Sequence, residues 1–250
     1  AAAKRIAVHS PCTLQHGLKI RGVVEELLRK AGFELLPAAD GHLCCGSAGT
    51  YSILQPQLSR QLRDDKLEAA LAALAVPGVS IGTRFNPFYK VADNLGSCWI
   101  AREAMDQDFI ILNGDTLVSP EIVGRLIAGA TAPITVTIDV KDSYDLDDMK
   151  VQRDGDRLLQ IGKRLEPAET NAESIGMLAF KGEGPAIFRR QVEAMMRTPE
   201  GVLNWYLKVI HALAPSGVVG TVSIEGLRWA EVDFPEDLPI ARALTEGWVA

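Results

Sequence analysis

The sequence predicts an α/β fold, built on an open, mostly parallel three-layer sheet with an antiparallel extension. Three observations carry this. Strand-length apolar runs alternate with helical spacing through the first third, giving β-α-β-α-β, the alternation of a parallel, doubly wound sheet. Phe109-Ile110-Ile111-Leu112 is a continuous apolar run, as expected of a strand buried on both faces. The later part of the chain adds β-branched runs and a hairpin signal, which read as antiparallel pieces.

In chain order, Arg5–His9 reads as a strand closed by Ser10-Pro11. Ile20, Val23, Val24, Leu27 and Leu28 follow with helical spacing, and Gly32 supplies a C′ residue. Phe33–Leu36 is the second strand, stopped by Pro37, and Asp40–Thr50 is a Gly-rich loop. A helix is expected over Gln57–Ala75, broken by Pro77-Gly78, with Val79–Phe85 a third strand. Asn94 is placed as the N-cap of a helix running to about Ala104. After the Asp108–Leu112 strand, Asn113-Gly114-Asp115 cannot extend it, and Ser119-Pro120-Glu121 begins a helix with an N-cap, a proline at N1 and an acid beside it. Ile134–Val140 is a strand, Asp142–Asp148 an acidic solvated loop, and Asp154-Gly155 the turn of a hairpin. Ser174–Phe180 is a strand, helices follow near Pro185–Met196 and Val202–Leu213, and Val218–Ile224 and Trp229–Val232 are strands. Pro235 opens the last helix.

Composition narrows the class. The 250 residues are 47% hydrophobic, enough for one large core or two small ones. Net charge is −6 with acids and bases interspersed, which argues against nucleic acid or an anionic membrane surface as partner. No apolar run reaches the length of a membrane span, and the N-terminus lacks a signal-peptide apolar region, so a cytoplasmic protein is expected. Four cysteines are too few for a disulfide scaffold of this size.

Two carboxylates carry the chemical argument. Asp115 lies at the carboxyl end of a strand, where open α/β sheets place ligands. Asp233, in Trp229-Ala230-Glu231-Val232-Asp233-Phe234-Pro235, ends a strand just before a proline-initiated helix. Together they could clamp Mg²⁺ between two chain segments and so hold phosphate oxygens. A turn aspartate capping its own loop is the plainer reading of either residue alone.

From about Ala70 to the end, the chain resembles the nucleoside-triphosphate transferase family, especially its phosphocholine cytidylyltransferase-like members. The residues are Asn86-Pro87-Phe88-Tyr89, Asn94-Leu95-Gly96-Ser97, Asn113-Gly114-Asp115, Ile161-Gly162-Lys163, Glu173-Ser174-Ile175-Gly176 and Trp229-Ala230-Glu231-Val232-Asp233. The resemblance implies a Rossmann-like fold, Asp115 and Asp233 as Mg²⁺ ligands, and Lys163 on the acceptor phosphate or sugar. It also implies Asn94, Glu173 and Gly114 about the substrate, with a nucleoside triphosphate and a phosphorylated small molecule as partners. Lys163 also reads as a solvated surface lysine, Glu173 as a surface strand residue, and Trp205-Tyr206 as core rather than an aromatic box for a quaternary ammonium group.

The family's opening Gly-rich loop, with its basic residue and Pro-Lys segment, has no counterpart here. Residues from about Arg5 to Glu68 carry Ser10-Pro11-Cys12-Thr13-Leu14-Gln15-His16-Gly17 and His42-Leu43-Cys44-Cys45-Gly46-Ser47-Ala48-Gly49-Thr50-Tyr51 instead. These resemble the cysteine-rich CCG domain of glycolate oxidase iron–sulfur subunits, a module shared with heterodisulfide reductases. That pattern ends in a later Cys-x-x-Cys pair, absent here, so Cys12, Cys44 and Cys45 cannot complete a four-thiolate cluster. A Cys₃His zinc-like set with His16 or His42 stays open beside inert or redox-sensitive thiols. Cys98 reads as a small buried hydrophobe, and His9 and His211 have no evident partner.

The chain is thus expected to be composite: a single compact domain over 1–250, CCG-like over 1–70 and nucleotidyltransferase-like over 70–250, joined within Leu67–Val76. The expected activity moves a nucleoside monophosphate from CTP or UTP to a phosphorylated acceptor with Mg²⁺, impaired by the replaced loop. An iron–sulfur or metal-binding redox module and a catalytically silent chimeric scaffold are the alternatives.

Overall fold

The computed structural model describes residues 4–8, 19, 21–37, 57–58, 61–65, 79–88, 91–246 and 248. Contacts divide the chain into two compact units, Ala1–Thr83 and Arg84–Ala250.

In the first unit, β1 (Lys4–Val8) and β2 (Phe33–Pro37) pair in parallel, Lys4 opposite Phe33 and Val8 opposite Pro37. The crossover between them contains α1 (Val23–Lys30), which has acids in its first turn and bases in its last, complementing the helix dipole. Gly32 follows the helix at φ +90°, the left-handed C′ conformation that a glycine adopts without strain. Residues 61–65 are helical within the expected Gln57–Ala75 helix, much of which lies outside the described residues. Val79–Phe85 is not a strand, and Val79, Ile81 and Phe85 are exposed.

The second unit holds the six-stranded sheet. Its strands are β3 (Phe109–Leu112), β5 (Ile134–Asp139), β6 (Lys150–Asp154), β7 (Arg157–Ile161), β8 (Ala172–Phe180) and β9 (Val219–Ser223), in the order β3-β8-β5-β9-β7-β6. A two-stranded ribbon of β4 (Thr116–Leu117) and β10 (Ala230–Glu231) stands apart from it. β5 and β9 are parallel, and β8 runs antiparallel to β3, β5 and β6. The helices are α2 (Asn94–Ala101), α3 (Pro120–Gly129), α4 (Gly184–Met196), α5 (Tyr206–Leu213) and α6 (Leu238–Thr245).

The sheet is covered on two sides. One core joins Ile134, Val136, Ile138, Leu178 and Phe180 to Leu95 of α2, Phe188 and Val192 of α4, and Val209 and Ile210 of α5. The other joins Ile175, Met177 and Ala179 of β8 to Ile122 and Leu126 of α3. Alternation along β8 therefore feeds both layers, and all nine of its residues are buried. Phe180 stacks on Phe109 at 4.4 Å between ring centroids and lies 4.6 Å from Phe188, tying β3 to α4 through aromatic contact. Cys98 packs against the first core, and burial pushes its thiol up to about 12, as expected of an inert small hydrophobe.

Three local expectations are corrected. β3 is an edge strand among the described residues, pairing with β8 alone, and Ile110 and Leu112 stay 40% and 46% exposed rather than buried on both faces. The cap of α2 is Asp93, whose side chain accepts the Asn94 N–H at 2.7 Å. Asn94 instead spends its Oδ1 on the Tyr206 N–H at 2.9 Å, so it caps α5 across the fold. Pro235 opens a 3₁₀ turn, Pro235–Asp237, before α6. The expected cap at Ser119 and the proline at the start of α3 are both present, as is the Gly155 hairpin turn at φ +55°.

Candidate functional site

A cleft of ≈ 640 Å³ lies in the second unit, and Asn94, Asp115, Lys163, Glu173 and Asp233 all line it. Residues more than a hundred apart in sequence meet there because the ribbon pairs the two segments that carry Asp115 and Asp233. Glu231 is opposite Thr116 and Ala230 opposite Leu117, and the Val232 N–H donates to the Asp115 carbonyl at 3.0 Å. On the far side of that bond the Asp233 and Phe234 N–H groups both donate to Asp237 Oδ2, at 3.0 and 2.9 Å, which fixes the chain where Asp233 sits. Gly114 is in the turn beside Asp115 and does not line the cleft.

The loop that presents Asp115 is pinned from below. Gly176 adopts φ +74° at an irregularity between β5 and β8, and its carbonyl accepts the Asn113 N–H at 3.0 Å. The Asn113 side chain lies over that glycine and accepts a hydrogen bond from the Tyr206 hydroxyl at 3.0 Å. Tyr206 is 2% exposed, and burial, with Cys98, Asp115 and Glu231 adding to it, pushes its phenol above the ordinary range, so it stays a neutral donor. Tyr206 is core, as expected, whereas Trp205 is a half-buried cleft wall with the Lys163 ammonium 5.3 Å from its ring centroid.

Charge in the cleft is uneven. Eight carboxylates line it (Asp93, Asp115, Asp145, Asp147, Asp148, Glu173, Glu231, Asp233), against the single lysine Lys163. Lys163 pairs with Asp147 at 2.9 Å, but Asp147 is 97% exposed, so the pair is a weak, solvent-screened one that a ligand anion can displace. Asp147 is correspondingly held below its ordinary value, first by the Lys163 hydrogen bond and then by its charge. Glu173 is not a surface strand residue. It is 2% exposed, and its carboxyl is raised to about 7 because burial outweighs the Lys141 ammonium 2.5 Å away. Lys141 reaches Asp148 as well, at 3.7 Å, so part of the expected solvated Asp142–Asp148 loop is a built wall of the cleft.

Glu231 was not singled out in the sequence. Desolvation in the cleft raises its carboxyl, and the Asp115 and Asp233 charges raise it further. The signal was available: in an extended segment Glu231 and Asp233 are two apart and share a face. The Asp115 and Asp233 side chains have no hydrogen-bond or ion-pair partner among the described residues, and no group of three or more His, Cys, Asp or Glu is arranged there to hold a metal. Two free hard-oxygen donors beside a third repelled carboxyl fit Mg²⁺, which keeps waters and takes one or two carboxylates plus phosphate oxygens. Cys12, Cys44, Cys45, His9, His16 and His42 lie outside the described residues. His211 has a partner after all, its Nδ1 lying 3.0 Å from the Ile161 carbonyl.

Helices on both sides of this mixed sheet make an α/β fold of the nucleotidyltransferase-like kind. Comparison with solved structures agrees. The inositol-1-phosphate CTP transferase from T. maritima superposes with a TM-score of 0.56 at 16% identity, covering 99% of this chain and 98% of that one. The UTP-bound UGPase from Acinetobacter baumannii gives 0.50 at 15% identity over 98% and 93%. At such identities the likeness shows the fold alone.

Among sequences, CMP-5'-(3-aminopropyl)phosphonate synthase of Streptomyces rubellomurinus is 28% identical over 217 residues, 83% of this chain and 33% of that protein. Residues 6–77 match the family model described as CCG: Cysteine-rich domain. The glycolate oxidase iron–sulfur subunit of Escherichia coli is 56% identical over 66 residues, 26% of this chain and 16% of that protein. The chain therefore spans a sixth and a third of these two relatives, and it is composite in its likenesses. No helix among the described residues is long and apolar enough to cross a membrane.

Proposed function

We propose that the second unit transfers a nucleoside monophosphate from CTP or UTP to a phosphorylated small acceptor. The observation that carries this is the ribbon that brings Asp115 and Asp233, both without partners among the described residues, to one cleft beside Lys163. An acceptor phosphate oxygen attacks the α-phosphorus of the nucleotide. The new P–O bond forms as the α–β bridging P–O bond breaks, and pyrophosphate leaves with that electron pair. The acceptor supplies the nucleophile, so no serine or cysteine is required. Asp115 and Asp233 would hold Mg²⁺, which when bound supplies Lewis-acid stabilisation of charge on the phosphate oxygens. Lys163 exchanges Asp147 for the acceptor phosphate and offsets its charge. Asn94 and Tyr206 hold the start of α5 against the cleft, and Glu173 with Lys141 fixes the opposite wall. Turnover is low, because the segment that cradles the triphosphate in the family is replaced by CCG-like sequence and the cleft itself offers mostly carboxylates.

Calorimetric titration of CTP and UTP with Mg²⁺, into the protein and its Asp115→Ala variant, tests this reading. Heat that needs both Mg²⁺ and Asp115 is expected. Equal heat from the variant, or none from the parent, would overturn it.

A second reading concerns the first unit alone. The match of residues 6–77 to the cysteine-rich domain and the 56% identity to an iron–sulfur subunit support a soft-metal site at Cys12, Cys44 and Cys45. Iron or zinc retained after anaerobic purification, and lost on substituting Cys44 by Ser, is the expected result of that reading; protein free of both metals would remove it.

A further inference from the structure

A second cavity of ≈ 400 Å³ adjoins the cleft, and the two share Met149, Lys163, Trp205 and Leu207 as common wall. Their charge is opposite. The cleft is lined by eight carboxylates, whereas no acidic residue lines this cavity, and Lys163, Arg164, Lys208 and His211 all do. In a chain of net charge −6 that segregation is not what an average surface gives.

The cations are also placed to be used. Arg164 follows Lys163 just beyond β7, and Lys208 and His211 are three apart on α5, so they share a helix face. Neither the Arg164 guanidinium nor the Lys208 ammonium has an ion-pair or hydrogen-bond partner among the described residues. The His211 ring is anchored through Nδ1 to the Ile161 backbone, which leaves Nε2 as its one unused polar atom. Arg164 and Lys208 are exposed, so the set acts by convergence rather than by desolvation: several cations on one concave wall offer an anion charge-assisted contacts that the same charges scattered over the surface would not.

We propose that this cavity is an anion site that seats a second anionic group of the acceptor, apart from the phosphate at Lys163 that becomes the nucleophile. The inference rests on the transfer reading for its acceptor, and it narrows the acceptor class to small phosphorylated molecules bearing a further carboxylate or phosphate. Trp205 and Lys163 stand at the partition, so such a ligand passes from the basic cavity to the acidic cleft along one wall. The aliphatic lining from Met149 and Leu207 accommodates the short carbon chain between its two ends.

The test uses the full chain, with inorganic phosphate and 3-phosphonopropionate as probes, titrated without Mg²⁺ or nucleotide. Phosphate is expected to bind saturably. Arg164→Gln with Lys208→Gln should weaken it by about tenfold or more, as the loss of charge-assisted contacts predicts. 3-Phosphonopropionate, with two anionic ends, should bind about tenfold more tightly than phosphate, and that advantage should vanish in the double variant. Both substituted side chains are exposed and unpaired, so the variant is expected to fold with the parent's thermal midpoint. Phosphate that fails to bind, or binds the double variant equally well, overturns the site. Phosphate binding without any advantage for the two-ended probe overturns the acceptor assignment. Loss of Mg²⁺-dependent CTP binding alone would strike the transfer reading and leave the anion site standing.

Discussion

The Asp115 carbonyl accepts the Val232 backbone N–H at 3.0 Å, and this bond extends the β4–β10 ribbon to the edge of the cleft. Asp115 and Asp233 are far apart in sequence, and each follows its own short strand or turn. Without the ribbon, nothing local would hold their carboxylates in register. Two paired residues per strand are few, so the ribbon depends on each of its hydrogen bonds.

Val232→Pro removes that donor while keeping an apolar side chain. The expected cost is about 1–2 kcal/mol, the loss of one hydrogen bond with its carbonyl left towards solvent. Mg²⁺-dependent CTP binding should fall far more than stability does. Denaturant unfolding read beside calorimetry separates the two. A variant that binds CTP like the parent would show that the ribbon does not set the site.

Much of this was legible in the sequence, for reasons that can be named. Strand–turn–helix punctuation placed Asp115, because Asn113-Gly114 stops β3 and Ser119-Pro120 starts α3. The β-branched run of Ile134–Val140 gave β5, and the apolar run ending at Phe180 gave β8, where burial is complete enough for side-chain type to decide. What escaped was tertiary. Asn94 has the residue type of an N-cap, and only the fold shows that it caps α5 while Asp93 caps α2. Glu173 is a charged residue at a strand start, and its burial against Lys141 depends on β6 lying beside β8. Ile110 and Leu112 read as buried because an apolar run does not reveal how many neighbours its strand has.

Gly176 is required by both conformation and space. Its φ of +74° is one that L side chains rarely adopt, and a Cβ there would meet Asn113 Nδ2 at 2.6 Å and Cγ at 2.8 Å. Gly176→Ala should cost about 3 kcal/mol, combining backbone strain with the broken Asn113–Tyr206 hydrogen bond. Adding Asn113→Ala should recover part of that loss, because it removes the Nδ2 and Cγ contacts and leaves the backbone strain and a tight Cβ contact at 3.1 Å. Denaturant unfolding of the two single variants and the double variant measures the coupling. A Gly176→Ala protein as stable as the parent would mean that the β8 irregularity relaxes freely.

Glu173 makes the stability of the fold depend on pH with a defined sign. Its carboxyl titrates near 7 in the folded chain against an ordinary value of 4.5, because burial favours the neutral form more than Lys141 favours the charged one. Between those two values the folded state holds a proton that the unfolded state has released. Stability contributed by this group is therefore complete below the unfolded value and is lost as pH rises through the folded one. The full loss is on the order of 3 kcal/mol. Lys141 is raised by the same pair, and its contribution disappears only at alkaline pH, outside this window. Glu173→Gln keeps the shape and removes the titration. The parent should therefore lose stability relative to this variant as pH rises from about 4 to about 8, by roughly that amount. Unfolding free energies measured at several pH values decide it. A difference that stays constant across the window would mean that Glu173 is already ionised in the folded chain and that the Lys141 ion pair outweighs its burial.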